Sequence, residues 1–295
     1  MTSVGVIAHT AKELGGGLPR LRKTLAAFGI MDPPWVEVPK SKYVPDRATA
    51  LVDDGVDLLF VWGGDGTVQR AIDALAGRPV TVAILPAGTA NLLATNLGLP
   101  TDLEECVRIG LHGARRTLDV GKVNGEHFAV MAGAGLDAMM IRDADAGLKD
   151  KVGRIAYVWT GVKNVPLEAV EMTIDVDGER WFKDKASCVL VGNVGDVLGG
   201  LSVFPNATPD DGRLDIGVVT ADGWWDWTRT LGRSVLGDVG RSPFVQTTTA
   251  RSIDVRLKDP LPYQLDGGDR KQTRKLKIRV KPGAITVCVP EEGSR

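Results

Sequence analysis

The chain has 295 residues, 43% of them hydrophobic, and a formal net charge of −1. Its length suggests about two domains, and the charge balance argues against a nucleic-acid binder, which carries a basic surplus. The three cysteines, Cys106, Cys188 and Cys288, are scattered with no CxxC pair; this speaks against zinc and suits a reducing compartment, read here as the cytoplasm. No apolar run nears the ~18 residues that span a bilayer, and MTSVGVIAHTAKELGGG lacks the apolar stretch of a signal peptide. Any membrane contact is therefore expected to be peripheral.

In chain order, VGVIA (4–8) reads as a strand, LPRLRKTLAAF (18–28) as a helix and WVEV (35–38) as a second strand. PDRATALVDDG (45–55) is a helix closed by Gly55. DLLFVW (57–62) is a buried strand, TVQRAIDALAG (67–77) a helix, TVAILP (81–86) a strand and GTANLLATNLG (88–98) a helix. Strands alternating with helices predict a parallel sheet covered on both faces. After about residue 117 the texture changes. LDVGKVNGEHF turns at Asn124-Gly125, and VEMTIDVDGERWF turns at Asp177-Gly178; both are hairpin signals. RLDIGVVT, SIDVRL, LKIRV and ITVCVP continue the strand pattern, interrupted by helical segments near 143–164 and 223–236. The expected fold is an α/β N-terminal domain over 1–122 and a mostly antiparallel β-sandwich domain over 123–295.

Chemistry concentrates in two turns. In VWGGDGTVQR (61–70) a strand runs through glycines into a helix. Glycine lets a ligand approach the backbone closely, and a helix start presents unpaired N–H groups that suit phosphate. Asp65 would repel a bare phosphate, yet fits if Mg²⁺ lies between, because Mg²⁺ is held by one or two carboxylates plus substrate phosphates. A tight strand–helix connection with Asp65 favouring the helix dipole is the other reading of the same residues. Neither GxxxxGK[ST] nor GxGxxG occurs. ILPAGTANLLATNLGLP (84–100) repeats the pattern, with Thr89 and Asn91 as ligand contacts, as helix caps, or as both.

GGDGTVQRAIDAL followed by LPAGTANLLATNLGLP resembles the diacylglycerol kinase catalytic-domain family, which includes soluble bacterial lipid kinases and sphingosine kinases. The resemblance continues through LDVGKVNGEHF, GAGLDA, KVGRIAYVWTG, PDDGRLDIGVV and YQLDGGDR, and so covers nearly the whole chain. It implies a fold like that of NAD kinases and diacylglycerol kinases, and Mg·ATP held between the domains. Gly63, Gly64, Asp65, Gly66, Thr67, Gly88, Thr89 and Asn91 would be nucleotide residues, with Ser41 as the equivalent of an upstream polar contact. Asp65 would help organise the catalytic Mg²⁺, and Asp119 matches a carboxylate near the metal network. Asp211 looks like the ligand of a structural Mg²⁺, joined by the carbonyls of Thr208 and Arg213; an Asp-Gly turn before a strand is the plainer account of that stretch.

The chain departs from the family pattern in three places. AHTAKELGGGLPR (8–20) replaces the usual Asn-Pro-x-Ser-Gly, leaving Lys12 and Gly15–Gly17 as phosphate candidates. Asn91 is followed by Leu92 where many relatives carry Asp. The family's Asp-Gly-Glu, whose glutamate takes the proton from the lipid hydroxyl, reads Asp266-Gly267-Gly268-Asp269 here. Asp269 is then the candidate base, supported by Asp266. For the lipid side, GWWDWTRTLGRSVLG (223–237) offers Trp225, Arg229 and Arg233 to a membrane surface, while Trp227 and Leu231 read as core. Lys149, Lys151, Arg154 and Lys163 form a basic stretch that reads mostly as a solvated helix face.

The expected activity is ATP-dependent phosphorylation of a lipid hydroxyl such as that of diacylglycerol, with ATP and Mg²⁺ as cofactors, a lipid as substrate and no nucleic-acid partner. A non-catalytic nucleotide- or lipid-binding relative, a NAD kinase, and a kinase for a non-lipid alcohol stay open, as does a homodimer.

Overall fold

The computed structural model describes residues 2–13, 16–135, 169–196, 203–220 and 244–291. The helical segments expected near 143–164 and 223–236, with their tryptophans and basic residues, and Gly15, lie outside the described residues. The chain divides into two units: residues 1–120 with 282–295, and residues 121–281.

The first unit is built on strands β1 (Val4–His9), β2 (Trp35–Val38), β3 (Leu58–Gly63) and β4 (Thr81–Pro86). They are parallel, in the order β2-β1-β3-β4. All six residues of β3 are buried, as expected of a parallel strand covered on both faces. Helices α1 (Gly17–Ala27), α2 (Val44–Asp53), α3 (Asp65–Leu75), α4 (Leu92–Asn96) and α5 (Leu103–His112) supply the cover. Helix α1 packs with α5, and α2 with α3. Alternation sends Val6, Ala8, Leu58, Phe60, Trp62, Ala83 and Leu85 into one core with Leu21 and Leu25 of α1 and Leu103 and Val107 of α5.

The second unit is antiparallel. Strand β5 (Ala114–Val123), which starts in the first unit and ends in the second, forms a hairpin with β6 (Glu126–Phe128), as β8 (Val170–Val176) does with β9 (Glu179–Ala186). Between these hairpins in the chain lies β7 (Met131–Ala134), and β10 (Cys188–Gly192), β11 (Leu214–Val219) and β12 (Val245–Ala250) follow. The strands β13 (Ser252–Leu265) and β14 (Gly268–Val289) make a long closing hairpin. β13 pairs with β8 through residues 253–257 and with β7 through 263–265, with irregularities between. It thereby links both layers of a β-sandwich. Val189, Val191, Ala132, Leu265, Ile216, Met172 and Ile174 share the core. The tight turns at Asn124-Gly125, Asp177-Gly178 and Asp266-Gly267 all have positive φ at both positions, the geometry that twists with its strands.

The sequence reading divides the chain once, at 122/123, whereas the chain crosses twice, at 120/121 and 281/282. The second crossing arises because Thr286 and Val287 of β14 pair in parallel with Thr81 and Val82 of β4. Helix α5, not among the elements read from the sequence, begins at Asp102, whose side chain accepts from the Glu105 N–H at 2.9 Å. The second glycine turn carries a shorter helix than expected: α4 starts at Leu92, because Asn91 takes a left-handed conformation (φ 47°).

Candidate functional site

β3 and β4 end side by side, with Gly63 opposite Pro86, so the two glycine turns emerge together. They touch. A Cβ on Gly88 would lie 2.6 Å from the Gly64 Cα, and one on Gly64 would lie 3.0 Å from the Gly88 Cα. Only glycine permits that approach of backbone to backbone. Asn91 folds its side chain back on Gly88, accepting from the Gly88 N–H at 2.8 Å and donating to its carbonyl at 2.8 Å.

Asp65 bridges the turns. It starts α3, yet its Oδ2 accepts from the Asn91 N–H at 2.9 Å and its Oδ1 from the Leu92 N–H at 2.6 Å. The carboxylate thus caps the neighbouring short helix, a role that the sequence did not reveal. Two N–H donors hold it in one orientation. Thr67 is buried, and its hydroxyl lies 3.0 Å from that of Ser41. Ser41 therefore sits against the first turn. Gly66 and Thr89 are exposed. The Lys12 ammonium is 3.7 Å from where a Gly64 Cβ would be. The glycine cradle, with a cation at its wall, fits a phosphate chain, and Asp65 fits the single carboxylate by which Mg²⁺ joins such phosphates.

His9, read as a turn residue, accepts from the Ala11 N–H through Nδ1 at 3.3 Å. Burial, and next the charge of Lys12, lower its pKa. Asp119 is buried and accepts from the Gly283 N–H at 2.8 Å.

The remaining predicted residues lie in the second unit. Asp211 is exposed, accepts from the Arg213 N–H at 2.8 Å and leads into β11. Arg213 turns to Thr249, bonding its hydroxyl and carbonyl at 2.8 Å each. Thr208 is exposed. The sequence reading omitted Asp215, whose carboxyl is pushed up to about 6 by burial and then by the nearby Asp211 charge, against Arg213.

Asp266 is a buried structural anchor. Its Oδ1 accepts from the N–H groups of Val130 (2.9 Å) and Met131 (2.8 Å), and its Oδ2 from that of Ala129 (2.9 Å). Gly268, where the resemblance expects glutamate, faces Arg270: a Cβ there would meet the Arg270 guanidinium at 3.0 Å. Arg270 is in turn held by Glu126 at 2.7 Å, a pair the sequence reading did not find. Asp269 is exposed and pairs across the hairpin with Gln264. Strand alternation puts the side chains of residues 268 and 269 on opposite faces.

Among the described residues, no cluster of three His, Cys, Asp or Glu side chains is poised for a metal, and no helix is long and apolar enough to cross a membrane. The three cysteines are unpaired and buried.

Known proteins bear on these features. A sequence model of the diacylglycerol kinase catalytic domain matches residues 19–123. A model of the YegS C-terminal NAD kinase beta sandwich-like domain matches residues 130–289. The chain is 31% identical to a YegS-like lipid kinase of Pseudomonas aeruginosa, covering 80% of this chain and 78% of that one. It is 29% identical to the diacylglycerol kinase of Bacillus subtilis, over 72% of this chain and 71% of the relative. A crystal structure of a diacylglycerol kinase from Bacillus anthracis superposes with a TM-score of 0.77 at 26% identity, covering 97% of this chain and 96% of that one. A NAD kinase of Archaeoglobus fulgidus shares the fold, with a TM-score of 0.53 at 11% identity.

Proposed function

The chain belongs to the family of diacylglycerol kinases and YegS-like lipid kinases, and on that premise we propose that it moves the γ-phosphate of ATP to the hydroxyl of a lipid such as diacylglycerol. The observation that carries the reading is the pair of glycine turns pressed together and bridged by Asp65. Phosphoryl transfer needs positioning and charge stabilisation more than covalent help from the protein. The turns supply backbone N–H groups at fixed positions, and Lys12 supplies positive charge beside Gly64. Mg²⁺, when bound, offsets phosphate charge, and Asp65 is the carboxylate that would hold it.

Of the two carboxylates at the closing hairpin, Asp266 already spends both oxygens on three backbone N–H groups. Asp269 is exposed and is the group we assign to take the acceptor's proton. The alcohol O–H proton passes to Asp269, the alcohol oxygen forms the new bond to the γ-phosphorus, and the bond to the bridging oxygen breaks, releasing ADP with that electron pair.

The test is transfer of labelled phosphate from ATP to a panel of lipids in mixed micelles with Mg²⁺. Transfer to one lipid class, and none to NAD or to soluble alcohols, is expected. Intact ATP binding without transfer to any lipid would overturn the reading. It would favour a binding protein without catalysis, which is what the guanidinium at Gly268 suggests as the second reading.

A structural Mg²⁺ at Asp211, with the carbonyls of Thr208 and Arg213, belongs to the same proposal. The excess negative charge shared by Asp211 and Asp215 suits a cation. Millimolar Mg²⁺ is expected to raise the urea midpoint of the wild type at pH 7 and to leave that of Asp211→Asn unmoved. Equal shifts in both proteins would exclude Asp211 as a ligand.

A further inference from the structure

Among the described residues, the buried side-chain polar atoms without a hydrogen-bond partner are Trp62 Nε1, His127 Nε2, Asn193 Oδ1 and both amide atoms of Gln264, so that Gln264 is the side chain with two such atoms. Thr67 meets Ser41, Ser187 donates to the Val219 carbonyl, and Asp119 and Asp266 accept from backbone N–H groups. Gln264 is 1% exposed, yet neither its amide nitrogen nor its amide oxygen has a hydrogen-bond partner among the described residues. An amide sealed from water without partners is costly, and such a group in a native fold calls for a reason.

The sheet register supplies one. Leu190 of β10, Gly133 of β7, Gln264 of β13 and Asp269 of β14 stand directly opposite one another in a single row. Side chains in such a row share a face. It is not the core face, because the flanking residues Ala132, Ala134, Val189, Val191 and Leu265 fill the sandwich core. Gly133 contributes no side chain, and Leu190 leans over it, with its Cδ2 2.6 Å from where a Cβ would be. On the side of β14, the residue opposite Gln264 is Asp269. Residues directly opposite on antiparallel strands have Cβ atoms about 4.5–5.5 Å apart, within reach of a glutamine amide and an aspartate.

We propose that Gln264 is a positioning residue for Asp269: its amide N–H₂ donates to the Asp269 carboxylate when that group turns inward to take the acceptor's proton, and its amide oxygen accepts from the acceptor's polar headgroup. The inference rests on Asp269 as the base and goes beyond it by naming what orients it. It also explains how a carboxylate displaced by one residue serves here. The face of residue 268 is occupied by Arg270 and Glu126, and the opposite face offers a donor.

The test reads the pH profile of lipid phosphorylation. A carboxylate takes up a proton only in its ionised form, so the rate falls on the acid side of the profile. A donated hydrogen bond favours the ionised form, and its loss moves the acid limb upward. Gln264→Met, of similar volume, is expected to move that limb up by roughly one pH unit, so that the rate drops about tenfold at pH values below the wild-type limb, and to leave the KM for ATP unchanged. Gln264→Glu places a second carboxyl beside Asp269 and is expected to move the limb further. The other charges near Asp269 are Arg270 and Lys271 on β14, Asp266 at the turn and Glu126 behind Arg270; all are common to the proteins compared. β7 and β10 contribute only Gly133 and Leu190 to the row.

In an Asp269→Asn background, Gln264→Met is expected to cost nothing further. A full rate in Asp269→Asn alone would overturn the base assignment, and this inference with it. A dead Asp269→Asn together with an unshifted limb in both Gln264 variants would overturn the positioning role alone. Urea midpoints of the variants separate these results from unfolding, since removal of a partnerless amide is expected to leave the Met variant at least as stable as wild type.

Discussion

Replacing Asp266 by alanine is expected to destabilise the second unit by roughly 3–5 kcal/mol. Three backbone N–H groups, at 129, 130 and 131, lose a charged acceptor in the interior, and each unsatisfied buried group costs about 1–3 kcal/mol. The same substitution frees the hairpin tip, because Asp266 holds a left-handed conformation (φ 45°) that aspartate tolerates better than alanine. Against a total stability of roughly 5–15 kcal/mol, the loss is large enough to show as a shifted urea midpoint and as reduced soluble yield. A midpoint within about 0.5 kcal/mol of wild type would mean that the clamp contributes little. Any loss of activity in this variant is therefore to be credited to folding before chemistry.

Asp65→Asn separates the two roles in the opposite sense. The side chain keeps its shape, but its amide nitrogen must face either the Asn91 or the Leu92 N–H, where two donors meet. One bridge between the turns is lost, along with the negative charge available to Mg²⁺. Misplacement of a reacting group by about 1 Å costs on the order of 10²-fold, and loss of a charge-stabilising contact costs 10²–10³-fold more or less independently. Phosphoryl transfer is expected to fall by at least about 10³-fold, with an unfolding cost of only about 1–3 kcal/mol. The comparison is made on protein shown folded by its circular dichroism. Retention of more than a tenth of the wild-type rate would reduce Asp65 to a helix cap.

The parallel strands were legible because β1, β3 and β4 are apolar runs punctuated by glycine, and the sandwich was legible through alternation and its Asn-Gly and Asp-Gly turns. Local pattern carries that information. Partners distant in the chain do not announce themselves. Asp65 meets N–H groups 26 and 27 positions away, and Arg270 meets Glu126 across 144 positions. Nothing near any of these residues marks the pairing. Helix α5 did leave a sign, since Asp102 followed three residues later by Glu105 opens an amphipathic stretch. Gln264 left a fainter one: flanked by Tyr263 and Leu265, both at the core, it must point the other way. The ITVCVP run reads plainly as a strand, but whether it joins the sandwich or the parallel sheet depends on topology that no local window contains.

That return of the chain has a consequence for biosynthesis. The second unit is an insertion within the first, and residues 286 and 287 complete the parallel sheet beside β4. A ribosome moving at about 5–20 residues per second needs roughly ten to thirty seconds to travel from the first crossing to the second. During that interval the edge of β4 is exposed and able to pair with a stranger. The nascent first unit therefore has a defined window of vulnerability, which closes only when the sandwich has been made and its last strand has threaded home.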